Sequence, residues 1–186
     1  MRYTIIHDTP DLQGREILEY LREKTEKAAH PTRDIRFFDL GQVNMEPCLG
    51  CFNCWLKTPG LCVFKDDASK LMKEEILSDR ILYLCPVTWG SYSPAVKILQ
   101  DRSLGRVLPF FVTHKGETHH PLRYGKGAEP FLAGYGDDLS GEEEEVFRRT
   151  GENLNDNIYR GKMNTLILRS SEDYAGLDRF FEGDVQ

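Results

Sequence analysis

The run Ile81-Leu82-Tyr83-Leu84-Cys85-Pro86-Val87, inside Arg80 to Val87, is the most apolar stretch of the chain. A run of that length and character suits a strand covered on both faces, at the centre of a parallel sheet. Parallel neighbours can only be reached by crossovers, so strands and helices should alternate on either side. They do. Arg2 to His7, with Tyr3, Thr4, Ile5 and Ile6, predicts a strand. From Gln13 to Ala29 the apolar positions Ile17, Leu18, Leu21 and Ala28 recur at helical spacing, and Pro31 ends that helix. Asp34 to Leu40 predicts a second strand, and Asp66-Asp67 start a helix lined by Ala68, Leu71, Met72 and Ile76. After the central strand, Ser93 to Arg102 predicts a helix with Val96 and Leu99 inward, and Val107 to Thr113 a fourth strand.

Beyond it, His114 to Asp138 reads as a long glycine-rich loop with one short strand near Phe131 to Gly134. Ser140 and Glu143 form a capping box before a helix that turns Val146, Phe147, Leu154 and Ile158 inward. Met163 to Arg169 is the last strand, followed by a polar tail with a short helical or frayed end. The pattern is that of an α/β domain with a parallel sheet and right-handed crossovers, spanning 1–186. It leaves open whether the segment near Phe131 or that near Met163 takes the fifth place.

The chain has 186 residues, 24 basic and 30 acidic side chains, and a net charge of -6. That balance gives no support to nucleic-acid or anionic-membrane partners. No apolar run approaches a bilayer span and no signal-peptide pattern is present, so a cytoplasmic location is expected. Reduced thiols persist there. Four of the five cysteines, Cys48, Cys51, Cys54 and Cys62, lie in a C-x2-C-x2-C-x7-C run, with a Pro59-Gly60 turn able to bring the last sulfur back to the others. Thiolates so placed suit an iron-sulfur cluster, and zinc or plain reduced thiols remain alternatives. Cys85, alone in its apolar strand, reads as a core residue.

In open parallel sheets ligands sit beyond the carboxyl ends of the strands. The loops expected there are Asp8 to Gln13, Thr88 to Tyr92 and His114 to His120. Trp89 beside Gly90 offers a flat ring next to approachable backbone, suited to a planar heterocycle; a core or interface aromatic is the alternative. The histidines His114, His119 and His120 read as solvated loop residues rather than metal ligands.

The motifs Pro47-Cys48-Leu49-Gly50-Cys51-Phe52-Asn53-Cys54, Pro59-Gly60-Leu61-Cys62, Asp66-Asp67 and Pro86-Val87-Thr88-Trp89-Gly90-Ser91, with Lys97 and Asp101-Arg102 after them, resemble the iron-sulfur flavoprotein and NAD(P)H-dependent FMN reductase branch of the flavodoxin-like superfamily. The resemblance covers roughly residues 47 to 102. It implies a three-layer sandwich around a five-stranded parallel sheet of order 2-1-3-4-5, noncovalent FMN and assembly into homodimers or tetramers. Carried over by position, Pro86, Val87, Thr88, Trp89, Gly90 and Ser91 contact the flavin, His114, Lys115 and Gly116 close over its far side, and Cys48, Cys51, Cys54 and Cys62 ligate a [4Fe-4S] cluster within a loop at 47–65. Lys97, Asp101 and Arg102 form a structural ion-pair set. The chain departs from the pattern at His7-Asp8-Thr9-Pro10-Asp11-Leu12-Gln13-Gly14, where the family has a hydroxyl-rich phosphate loop. Thr9 supplies the hydroxyl there, Gln13 and Gly14 can still donate, and Asp8 and Asp11 repel a phosphate.

The activity implied is an FMN-dependent oxidoreductase taking electrons from NAD(P)H or a redox protein and passing them to a small-molecule or protein acceptor. The alternative is a flavodoxin-like protein that has lost FMN and serves as a binding or thiol- or metal-sensing partner. No hydrolase elbow or Walker-type loop is present.

Overall fold

The computed structural model describes residues 1–27, 33–125, 127–159 and 161–182. The expected helix end at Ala28, Ala29 and Pro31 lies outside them. At its centre, β1 (Arg2–His7) lies between β2 (Asp34–Asp39) and β3 (Arg80–Pro86), all parallel, with Ile5 opposite both Phe37 and Leu82. β3 then pairs with β6 (Glu129–Tyr135), and β6 with β7 (Asn164–Leu168), again parallel. The sheet order is β2-β1-β3-β6-β7. Counting only its own strands, that is the expected 2-1-3-4-5.

The fourth strand is not the expected one. Val107 to Thr113 stays outside the sheet, and only Val112–His114 (β4) is extended, in an antiparallel hairpin with Glu117–His119 (β5). Pro109 has no N–H for a ladder. Leu108 donates instead to the Pro121 carbonyl, and Phe110 and Phe111 stay exposed. The segment therefore folds against its own return. The vacated place goes to β6, buried from Pro130 to Tyr135. Gly134 is needed there, because a Cβ would meet the Phe147 ring and Val87 at 2.5 and 2.6 Å.

Both faces are covered, as a parallel sheet requires. On one lie α1 (Leu12–Lys27), through Ile17 and Leu21, and the 3-10 segment Ser171–Phe180, through Tyr174, Leu177 and Phe180. The tail is thus a packed element, with Ser170 and Asp173 forming its capping box. On the other face lie α3 (Ala68–Leu77), α4 (Pro94–Arg102) and α5 (Gly141–Leu154), through Leu71, Val96, Leu99, Phe147 and Leu154. The Ser140–Glu143 capping box is formed as expected, whereas Val146 is 40% exposed rather than inward. No described helix is long and apolar enough to cross a membrane.

Beneath the second face lies a buried polar knot. Arg106 donates to Glu75 at 3.2 Å and to the Tyr159 hydroxyl at 3.1 Å, and Ser103 donates to Glu75 at 3.2 Å. Tyr83 adds its hydroxyl to the same carboxylate. The knot joins α3, β3, the turn after α4 and the π-helical turn Asn155–Tyr159. Glu75 and Arg106 are both almost wholly shielded from water. Replacing Arg106 with Met should therefore leave a buried carboxylate unpaired and cost about 3–5 kcal/mol in urea unfolding. A loss under about 1 kcal/mol would show that water already reaches the pair.

Candidate functional site

The carboxyl ends of β1, β3 and β6 open onto a cleft of about 500 Å³. Asp11, Leu12, Gln13 and Glu16 at the start of α1 line one side, Pro86 and Val87 the base, and Tyr135, Gly136 and Asp137 the other side. Next to it, Thr88 and Ser91 exchange backbone hydrogen bonds of 2.8 and 2.9 Å, closing a two-residue turn on Trp89 and Gly90. Both have positive φ, 48° and 72°. For a tryptophan that backbone is strained by about 1 kcal/mol or more. The turn is pinned from behind, since a Cβ on Gly90 would meet Val146 of α5 at 2.8 Å. Trp89 itself is 91% exposed, which excludes a core role and leaves a flat ring standing in solvent beside the cleft. Cys85 is buried, and burial pushes its thiol up to about 12, so it is an inert core residue as expected.

The loop after β1 is organised around Asp11. Its Oδ1 accepts the Gly14 N–H at 2.8 Å and its Oδ2 the Tyr135 hydroxyl at 3.2 Å. Thr9 shares a 3.1 Å hydrogen bond with the His7 ring, and Gln13 donates to the Leu168 and Arg169 carbonyls at 3.3 and 3.1 Å. Arg15 turns its guanidinium to the Pro10 carbonyl, 3.3 Å away. Burial, and then the Asp11 charge, hold the Tyr135 phenol well above its ordinary value, so it remains a donor. The Gly14 N–H and the Gln13 side-chain amide of this loop are thus engaged, and the cleft wall carries three carboxylates, from Asp11, Glu16 and Asp137. A phosphate group would face three negative charges here. Tyr135 escaped the sequence reading, but Asp11 three residues before Gly14 carries the spacing of a helix N-cap.

His114, Lys115 and Gly116 do not reach the cleft. Lys115 and Gly116 turn the β4–β5 hairpin, where Lys115 bonds Asp156 at 2.7 Å and His114 lies 3.5 Å from it. Asp156 follows the far end of α5, about 20 Å along that helix from the cleft. The expected covering loop is therefore on the opposite edge, because the segment leading to it left the sheet. His119 contacts Asn157 there, and the His120 ring lies 4.7 Å from that of Trp55.

The cysteine loop is tied at its base. Asn44 and Asp67 exchange hydrogen bonds of 3.0 and 3.1 Å, and Glu46 donates to Asp66 at 3.0 Å. Arg102 clamps Asp66 with two bonds of 2.7 and 2.8 Å and also reaches the Glu46 carbonyl. Arg102 thus pairs across to the loop, while Lys97 and Asp101 pair along α4 as expected. Within the loop, the short helix α2 (Asn53–Leu56) carries Cys54, and Gly60 donates back to the Cys54 carbonyl at 2.8 Å. Trp55 fastens the loop to the turn after α4 by donating to Leu104 and Val107.

As a result Cys48, Cys51, Cys54 and Cys62 line one small pocket, walled by Phe64, Arg102 and Leu104. Burial raises the Cys54 thiol, and the fields of Cys62, Cys48 and Cys51 raise it further. Among the described residues no three His, Cys, Asp or Glu side chains close on a single ion. A cubane differs in that its four thiolates each bind a separate iron. The Nε of Arg102 is buried with no partner at the wall of this pocket. Four thiols and a spare buried donor are the chemistry that fits an anionic cluster.

No family model matches the chain. It is 31% identical over 103 residues to an iron-sulfur flavoprotein of Methanocaldococcus jannaschii, covering 55% of this chain and 52% of that one. An iron-sulfur flavoprotein of Clostridioides difficile is 30% identical over 106 residues, covering 55% and 46%. The chain thus spans about half the length of these relatives. Among solved structures, an azoreductase from Bacillus anthracis superposes with a TM-score of 0.68 at 12% identity over 98% of this chain and 97% of that one. An NAD(P)H:quinone oxidoreductase from Methanothermobacter marburgensis does so at 0.60 and 14%, over 97% and 93%. The chain therefore has the flavodoxin-like fold. Its sequence is similar to iron-sulfur flavoproteins, as the motifs at 47–102 indicated.

The Asp66–Arg102 clamp gives a test. Burial alone would raise the Asp66 carboxyl, but Arg102 and the N–H groups of Glu46 and Ala68 outweigh it and hold it below its ordinary value. A carboxyl depressed on folding stabilises fully above its unfolded value and loses that contribution as pH falls through the folded one. Stability should thus fall below about pH 4, and less so in Asp66→Asn, which starts lower. In Arg102→Ala, alkylation of Cys54 and Cys62 at neutral pH should speed up by about tenfold as the loop opens more often. Unchanged rates would mean that Trp55 and the Asn44–Asp67 pair hold the loop without Arg102.

Proposed function

We propose that the chain is a flavin-dependent oxidoreductase that carries an iron-sulfur cluster on Cys48, Cys51, Cys54 and Cys62. The observation that carries this reading is the meeting of those four cysteines at one pocket, with the buried Arg102 donor beside them, on a flavodoxin-like fold. The relatives named iron-sulfur flavoproteins support the pairing of the two groups. A structural neighbour described as an FMN-dependent NADH-azoreductase, at 11% identity and a TM-score of 0.62, is in complex with FMN and supports a flavin with a nicotinamide donor.

The ring end of such a site fits the cleft. Pro86 and Val87 form its base, the Thr88–Ser91 turn sets Trp89 at its rim, and Gly90 fixes that turn on α5. The phosphate end would meet the carboxylates of Asp11, Glu16 and Asp137 instead. A bound flavin and cluster would supply the redox chemistry. The chain's part is to place a planar ring against Val87 and Trp89 and to hold four thiolates in a pocket tied to α4. The electron donor is a small nicotinamide and the acceptor a small molecule or redox protein.

Self-association belongs to the same reading. Leu49, Phe52, Leu56 and Leu61 of the cysteine loop are exposed, as are Phe110 and Phe111, a load of apolar surface that a homodimer or tetramer would cover.

Anaerobic purification followed by a visible spectrum, with iron, sulfide, zinc and extractable flavin measured on the same sample, tests the proposal. Yellow flavin bands with a broad brown shoulder and about four irons per chain are expected. Zinc in place of iron would remove the cluster. A colourless protein that takes up neither iron nor any flavin would favour instead a binding or sensing protein, a reading to which the acidic loop after β1 lends weight.

A further inference from the structure

The cleft at the carboxyl edge is acidic where the ligand that the fold suggests carries a phosphate. A phosphate monoester carries close to two negative charges at neutral pH and no spare proton to donate. It is ordinarily held by free N–H groups at a helix N-terminus. Here the Gly14 N–H is bonded to the Asp11 carboxylate, and the Thr9 hydroxyl and Gln13 amide are turned to His7 and to the end of β7. Tyr135, rising from β6, locks Asp11 in place through its hydroxyl. Glu16 and Asp137 extend the negative wall. The nearby cation, Arg15, faces the Pro10 carbonyl.

We propose that this cleft takes a flavin without its phosphate, of the riboflavin type, and that Asp11 is the residue that rejects FMN. This rests on the flavin reading above. A ribityl chain ends in hydroxyl groups, and hydroxyls donate to carboxylates, so the acidic wall that repels a phosphate offers a polyol suitable acceptors. The volume of about 500 Å³ lies in the range of small-molecule sites.

The full chain is titrated with riboflavin and with FMN, following flavin fluorescence, at low salt and at about 0.5 M salt. Riboflavin should bind at least about tenfold more tightly at low salt, and the gap should narrow as salt screens the repulsion. Asp11→Asn keeps a side chain that caps the helix equally well but removes the charge. It should tighten FMN by about tenfold and weaken riboflavin, which loses one of three carboxylate acceptors, by about threefold or less. FMN binding more tightly than riboflavin to the unaltered chain would overturn the proposal while leaving the flavin reading intact, as would an unchanged FMN affinity in a folded Asp11→Asn. Failure of both flavins to bind overturns the two together. If the variant does not fold, the unaltered chain's preference decides the matter.

Discussion

Two faces of one parallel sheet must be kept from water, and the arrangement of this chain follows from that constraint. β1 and β3 are buried on both sides, so helices have to pack above and below, and every crossover has to bring the chain back to the same starting edge. The loops that leave β1, β3 and β6 are thereby gathered at the opposite edge, where the cleft forms. Among the described residues, one face has a single full helix. The Ser171–Phe180 segment completes it, with Tyr3, Phe131 and Phe180 in edge-to-face contact beneath.

The second requirement is to carry a long polar loop without unravelling the sheet around it. Arg102 and Asp66 do this in near-complete burial, where either alone would be costly and together they fix one geometry. Arg102 also lies 4.9 Å over the Phe64 ring and contributes to the field at Cys62. The same guanidinium therefore holds the loop's base and faces its sulfurs.

Much of this was readable in advance because it depends on local pattern. The apolar run at Ile81–Val87 had no other place than the sheet centre, and Ser140 with Glu143 had no better use than a capping box. The spacing of the four cysteines likewise allowed their convergence. What could not be read was decided by distant contacts. Val107–Thr113 has the composition of a strand, yet Pro109 and the return at Pro121 drew it out of the sheet, and His114 and Gly116 went with it. Asp66 and Asp67 start α3 as expected, with Asp67 as its N-cap and Asp66 accepting the Ala68 N–H, but their further bonds to Asn44, Glu46 and Arg102 left no local trace. Tyr135 gave no sign, because its partner Asp11 is far away in sequence.

The doubly bonded meeting of Asn44 with Asp67 makes the stretch between them a cassette. The chain enters and leaves it at one point, after β2 and before α3, and the ties that close that point belong to the scaffold rather than to the sulfurs. Shortening, lengthening or replacing the interior would leave the sheet's connectivity intact. A cysteine loop tied off in this way can be exchanged without redesign of the domain that bears it.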